Sequence, residues 1–78
     1  MSYYSITLDG QICSQNLGFF TTINVYSKNT DNAINKAIHK IRKNMFNNYN
    51  FYTDDFIIID VQKINYNNNK LNYNFYNL

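Results

Sequence analysis

The residues that most often carry out catalysis are few in this chain, and their spacing does not bring them together. Cys13 is the single cysteine and His39 the single histidine. A thiol becomes a nucleophile only beside a base or a cation, whereas the sequence places Cys13 in a β segment and His39 on the polar side of a helix. We therefore expect no catalytic pair, and we interpret Cys13 as a buried or half-buried packing thiol.

The acidic residues do not form a recognisable metal or acid–base site. Asp54 and Asp55 are adjacent, and Asp60 follows within an apolar run. Adjacent side chains of an extended chain point in opposite directions, whereas a hard-cation site needs several converging oxygens. The sequence also contains no Cys/His cluster for zinc and no glycine-rich phosphate loop. We predict no catalytic residues, no metal site and no cofactor, and we interpret these aspartates as charges that keep an apolar strand soluble.

Basic side chains are concentrated on one side of a predicted helix. Lys36, His39, Lys40 and Lys43 share that side, and Arg42 lies at its flank. One interpretation is a solvated helix face, and the other is a docking surface for phosphates or for an acidic protein patch. The chain has a single arginine, the side chain best suited to bidentate phosphate contact, which weakens the phosphate interpretation.

Aromatic residues make up 18% of the chain, as eight Tyr and six Phe. Several fall in residues 46–55, which show no helix or strand periodicity and are predicted to form a loop. Rings in a surface loop must either fold onto the core or contact a partner. Ordinary packing, a protein interface and base stacking are the three interpretations. The predicted partner-binding residues are Tyr49, Phe51 and Tyr52 together with Lys36, His39, Lys40, Arg42 and Lys43.

The first third of the chain is predicted to be β structure. Residues 3–8 alternate, with Tyr4, Ile6 and Leu8 on one face. Asp9-Gly10 is a strong hairpin signal, so residues 11–14 are predicted to form a short return strand, with a second turn at residues 16–18. Residues 19–27 form the next predicted strand, with apolar groups on both of its faces.

A capped amphipathic helix and two further strands are predicted to follow. Residues 30–45 form the helix, capped by Asn29 or Thr30. Its apolar stripe consists of Ala33, Ile34, Ala37, Ile38, Ile41 and Met45. Residues 56–66 begin with a nearly continuous apolar run and are predicted to form a central strand. A turn is predicted at residues 67–70, and residues 71–76 form either a last strand hairpinned to the one before or a frayed tail.

These elements predict an α+β domain in β-β-α-β-β order, with about four antiparallel strands and one amphipathic helix on one face of the sheet. The chain has 78 residues, so we expect one domain over residues 1–78. A core of this size seldom contributes more than about 3–5 kcal/mol, which makes a homo-oligomer an expectation. A lone cysteine, no membrane span and no signal peptide favour the cytoplasm.

The leading functional hypothesis is a non-enzymatic protein-binding module that acts by steric occlusion. The abundance of Asn, Lys, Ile, Tyr and Phe indicates an AT-rich genome. Small phage or mobile-element proteins that inhibit host-defence nucleases, anti-CRISPR proteins among them, share this size and lack of an active site, and the partner would be a nuclease or a ribonucleoprotein. An alternative is a nucleic-acid-binding module that uses the basic helix face, although a net charge of +2 is a weak bias. A second alternative is a homo-oligomeric structural or assembly protein, and none of the three involves a membrane.

Overall fold

The computed structural model describes residues 1–66 and 70–78, which form a four-stranded antiparallel sheet with one helix on one face. The elements in chain order are β1 (Ser2–Ile12), a short 3-10 turn (Cys13–Gln15), β2 (Leu17–Ser27), α1 (Thr30–Tyr49), β3 (Asp55–Ile64) and β4 (Asn74–Asn77). The strands lie in the order β3-β1-β2-β4. The predicted α+β class, the single helix and the β-β-α-β-β order are confirmed.

The first hairpin differs from the prediction in the position of its turn. β1 runs without interruption through Asp9 and Gly10, so the predicted turn there and the return strand at residues 11–14 are wrong. The chain reverses instead at Cys13–Gln15, and Asn16 closes the turn in the left-handed region with φ 52°. Gly10 is needed because the Phe19 ring on the paired strand occupies the space that a β-carbon would fill.

The helix forms where the sequence predicts it and continues one turn further. The Asn29 side chain caps it by accepting a hydrogen bond from the Asn32 backbone N–H at 2.8 Å. It ends at Asn50, a residue with positive φ whose N–H donates to the Phe46 carbonyl. Residues 46–49 are therefore helical, and the predicted loop at 46–55 is reduced to residues 50–54.

The core lies between α1 and the face of the sheet that it covers. Alternate residues of β1 point into it, and Ile6 and Leu8 are fully buried there, as the alternation predicts. The apolar helix stripe is confirmed, because Ala33, Ala37, Ile41 and Met45 are fully buried and Ile34 and Ile38 pack against them. Phe19 of β2 is the largest fully buried side chain, and burial of such a ring contributes about 1.5–3 kcal/mol.

The predicted central position of the third strand is wrong. β3 lies at one edge of the sheet and pairs only with β1 in the described part of the chain, whereas its apolar run predicts a central strand. The ladder shifts register between Thr7 and Leu8, which leaves Ile59 as the extra residue of a β-bulge. The last strand is also not hairpinned to β3. β4 pairs with β2 at the opposite edge, from Leu17↔Asn77 to Phe20↔Asn74.

Two further sequence predictions concern the end of the chain and its location. The turn predicted at residues 67–70 lies, except for Lys70, outside the described residues. In the described part of the chain, no helix combines the length and the apolar character that a membrane crossing requires.

Candidate functional site

The aromatic residues that the sequence singled out are divided between two environments. Tyr49, in the last turn of α1, stacks on Phe51 with ring centroids 6.1 Å apart and planes at 16°. It also meets Phe75 of β4 edge-on at 5.5 Å. Both rings thus belong to a cluster that joins the helix end to β4, although Tyr49 keeps 44% of its surface exposed. Their first role is internal packing, with a remaining exposed surface.

Tyr52 lies apart from that cluster, against Arg42. Its ring is 63% exposed and its centroid is 5.8 Å from the Arg42 guanidinium carbon, which also lies 5.2 Å from the Phe56 ring. Arg42 donates hydrogen bonds to the Thr53 carbonyl at 3.2 Å and to the Asp54 carbonyl at 3.3 Å. The only arginine is therefore half-buried and occupied in holding residues 50–54 against the helix.

The same loop is tied to the tip of the first hairpin through Asp54. The Asp54 backbone N–H donates to the Gln11 carbonyl, and its carboxylate accepts a hydrogen bond from the Cys13 N–H, both at 2.8 Å. From the sequence, Asp54 is predicted to be a solubilising charge. The hydrogen bond to Cys13, which joins residues 41 positions apart, is not predicted. No sequence signal indicates it, since it depends on where the hairpin turns.

Cys13 differs from its predicted environment. It lies exposed in the 3-10 turn, not buried in a strand. Partial desolvation and then the nearby carboxylates of Asp54 and Asp55 raise the pKa of the Cys13 thiol. These surroundings favour the protonated thiol over the nucleophilic thiolate. His39 is exposed on the outer side of α1, and no group of three His, Cys, Asp or Glu residues converges as a metal site within the described residues.

The basic side chains lie where the helix periodicity places them. Lys36, His39, Lys40 and Lys43 are all exposed on the side of α1 that faces away from the sheet. We call these four residues the basic stripe. Lys36 also donates a hydrogen bond to the Tyr26 carbonyl at 2.7 Å, which fixes that side chain near the edge of β2.

The outer edge of β3 is a surface that the sequence did not predict as a binding site. Ile57 and Ile59 of this strand are 55% and 53% exposed, and Ile57 lies opposite Asp9 on the side of the sheet away from the helix. The apolar β-branched run with its flanking aspartates is the sequence signal for this surface, but the same run also predicts a central strand. In the described part of the chain no strand pairs with this edge, so its outward N–H and C=O groups are available to another extended chain.

The sheet face opposite the helix carries paired rings and hydroxyl groups. Tyr3 and Tyr26 lie with centroids 4.7 Å apart, and Phe20 and Tyr76 at 5.1 Å. The Tyr76 hydroxyl donates to the Asp9 carboxylate, and this hydrogen bond raises the pKa of Tyr76. We call this surface the open face, although side chains of the β3–β4 connection, such as Lys70, line shallow hollows on it.

Comparison of the chain with protein-family models, with curated proteins and with solved structures gives no match.

Proposed function

We propose that this chain is a non-enzymatic protein-binding module whose β3 edge binds an extended segment of another protein. Bound in this way, the module acts by occlusion, because its bulk covers the partner surface next to that segment. The observation that carries the proposal is a ten-residue strand with two isoleucines more than half exposed, whose outer edge pairs with no strand in the described part of the chain. Asp55, Asp60 and the bulge protect this edge only in part, and two exposed isoleucines on one edge strand are typical of a binding surface.

The chemistry of the edge favours one kind of occupant. Outward backbone N–H and C=O groups are satisfied best by another extended chain, as in binding by strand addition. Asp55 and Asp60 place negative charge along the first part of β3, whereas Lys63 lies near its end, and all three side chains are exposed. The partner segment should therefore combine alternating apolar residues with one or more Lys or Arg side chains.

The bulge favours a foreign strand over a second copy of the chain. Twofold-symmetric pairing of β3 with itself, centred on Ile59, would bring two bulged residues together in the middle of the new ladder. A partner segment has no such constraint, because only one of the two paired strands then carries a bulge.

The biological form of this proposal rests on an association of size and composition with small inhibitors. An inhibitor of a host-defence nuclease or ribonucleoprotein, made by a phage or mobile element and acting in the host cytoplasm, needs only a binding surface and no active site. A nuclease assay tests this inhibitor hypothesis. Nuclease activity should fall in proportion to the amount of complex formed with the intact chain. The Ile59→Lys variant described next should leave that activity unchanged.

The edge itself is tested with a library of displayed ten-residue peptides. We expect the enriched peptides to alternate apolar residues and to contain Lys or Arg. Ile59→Lys should weaken their binding at least tenfold, because a lysine on an edge opposes strand addition while remaining compatible with the fold. The matched control is Tyr26→Lys, which places the same charge at a side chain 47% exposed on the open face.

Hydrogen exchange shows whether the peptides bind at the intended strand. Amides of β3 should become protected on binding, whereas those of β4 at the opposite edge should not change. Equal binding by the Ile59→Lys and Tyr26→Lys variants, protection outside β3, or a library with no enriched peptides would contradict the proposal.

A further inference from the structure

We infer that the outer side of α1 is a second binding site, which takes single-stranded nucleic acid without sequence preference. The residues concerned are the basic stripe and Phe46. This surface faces away from the sheet and is independent of the β3 edge, so the inference does not rest on the proposed protein-binding function.

Apart from the hydrogen bond of Lys36 to the Tyr26 carbonyl, the described contacts give the stripe no structural role within the fold. It occupies the middle of a helix that runs to Tyr49, whereas basic residues stabilise a helix through its dipole only in the last turn. Lys36 and Lys40 are four residues apart, so their two ammonium groups repel each other. In the described residues no nitrogen atom of the stripe forms an ion pair with a carboxylate.

The acidic residues are engaged or placed elsewhere. Asp31 lies in the first turn of α1, and Asp54 accepts the Cys13 N–H. Asp9 accepts the Tyr76 hydroxyl on the open face, and Asp55 and Asp60 lie on β3. Four of the seven Lys and Arg residues lie on α1, which carries a single Asp, so a polyanion is the ligand that complements this element.

An exposed ring beside the stripe favours single-stranded nucleic acid over other polyanions. Phe46 follows Lys43 by one helical turn and is 56% exposed. Bases of a single strand stack on such a ring while lysines contact the phosphates, and this combination is typical of sequence-tolerant single-strand binding. The bases of a duplex are already stacked on each other, so a duplex gains less from Phe46. Arg42 is engaged with residues 53 and 54, which leaves no arginine for bidentate base recognition.

The test measures fluorescence anisotropy of a labelled twenty-nucleotide oligothymidylate and of a twenty-base-pair duplex between 50 and 200 mM salt. Three lysine contacts should give a slope of about −2 in log K against log salt, since each single-strand phosphate contributes about −0.7. Lys40→Gln with Lys43→Gln should reduce the slope to about −0.7. The control pair Lys28→Gln with Lys63→Gln removes the same charge from other exposed positions and should leave the slope unchanged.

Phe46→Ala tests the stacking contact separately from charge. We expect affinity for the single strand to fall about fivefold or more, with the salt slope unchanged and duplex binding unaffected. The Ile59→Lys edge variant should bind the oligonucleotide normally, which separates this inference from the proposed function.

Three results would overturn the inference. The first is no anisotropy change at 50 mM salt. The second is equal loss of binding in the control pair. The third is displacement of the oligonucleotide by polyglutamate of matched charge as efficiently as by unlabelled oligonucleotide, which would assign the stripe to acidic proteins instead.

Discussion

Individual side chains in this protein show how strongly packing alters the role that a residue type suggests. Arg42 belongs by sequence to a basic surface, yet its guanidinium is directed at two backbone carbonyls of the following loop. Tyr73 lies near the chain end, where disorder is common, yet its ring meets Phe19 of the core at 5.2 Å. At this scale the contact decides the function of the residue, and the contact depends on the fold.

Tyr73 gives the chain a defined response to alkaline pH. Its hydroxyl donates to the Asn44 side chain at 2.6 Å, and burial followed by the neighbouring Tyr49 raises the pKa of Tyr73 from 10.0 to about 12. The folded state holds this proton more tightly than the unfolded chain does. The resulting stabilisation is complete below pH 10 and is lost as the pH rises towards 12. We expect urea unfolding at successive pH values to show the free energy of unfolding falling over that interval.

Two substitutions identify the group responsible. Tyr73→Phe should flatten the alkaline loss of stability, because the titrating hydroxyl is gone. Tyr66→Phe is the control, since that ring is 70% exposed. An alkaline slope that is the same in the Tyr73→Phe variant and in the unsubstituted chain would assign the effect to other groups.

At the scale of elements, residues 50–54 connect α1 to β3 and are held at both ends by side chains far away in sequence. Arg42 binds the loop from the helix, and the Cys13 N–H binds it from the hairpin tip through Asp54. The loop therefore fixes where β3 begins, and with it the position of the edge proposed to bind a partner.

Removing the guanidinium should loosen this connection. Arg42→Met keeps the apolar stem and removes both bonds to the carbonyls, at an expected cost of about 1–3 kcal/mol in unfolding free energy. Hydrogen exchange should accelerate at the Asp54 N–H, which pairs with the Gln11 carbonyl. The neighbouring Lys43→Met, at an exposed position, is the control. Unchanged exchange at Asp54 in the Arg42→Met variant would show that Asp54 and Cys13 suffice to hold the loop.

At the scale of the whole molecule, charged and apolar side chains are unevenly distributed over the faces. The basic stripe lies on the outer side of α1, and the aspartates lie mainly along the sheet and its connections. Exposed rings such as Phe20 and Tyr26 lie on the open face. A domain with so small a core gains stability by burying such rings against a second copy. The homo-oligomer expected from the sequence thus stays a prediction, with the open face as its route.

Light scattering over a range of concentrations tests this association. The average mass should rise above that of one 9.3 kDa chain as concentration increases. Tyr26→Lys should return it to one chain, because the substitution places a charge among the rings of the open face, whereas Ile59→Lys should not change it. A single-chain mass at every concentration would contradict the prediction.

The sequence by itself determined the elements whose signals are local. The helix, its Asn29 cap and its apolar stripe follow from a repeat of 3.6 residues, and the alternation of Ile6 and Leu8 follows from a repeat of two. Residues 46–49 show the limit of this reasoning, since the sequence predicts a loop where the helix continues.

Tertiary structure alone decided which strands became edges, where the first hairpin turned and which side chains met. Gly10 resembles a turn residue but accommodates the Phe19 ring, and the apolar run of β3 resembles a central strand but lies outermost. Strand order is set by contacts between residues far apart in the chain, and the pattern within one segment carries little information about them. The two proposed binding surfaces differ in the same way. Helix periodicity in the sequence places the basic stripe, whereas the strand order of the fold exposes the β3 edge.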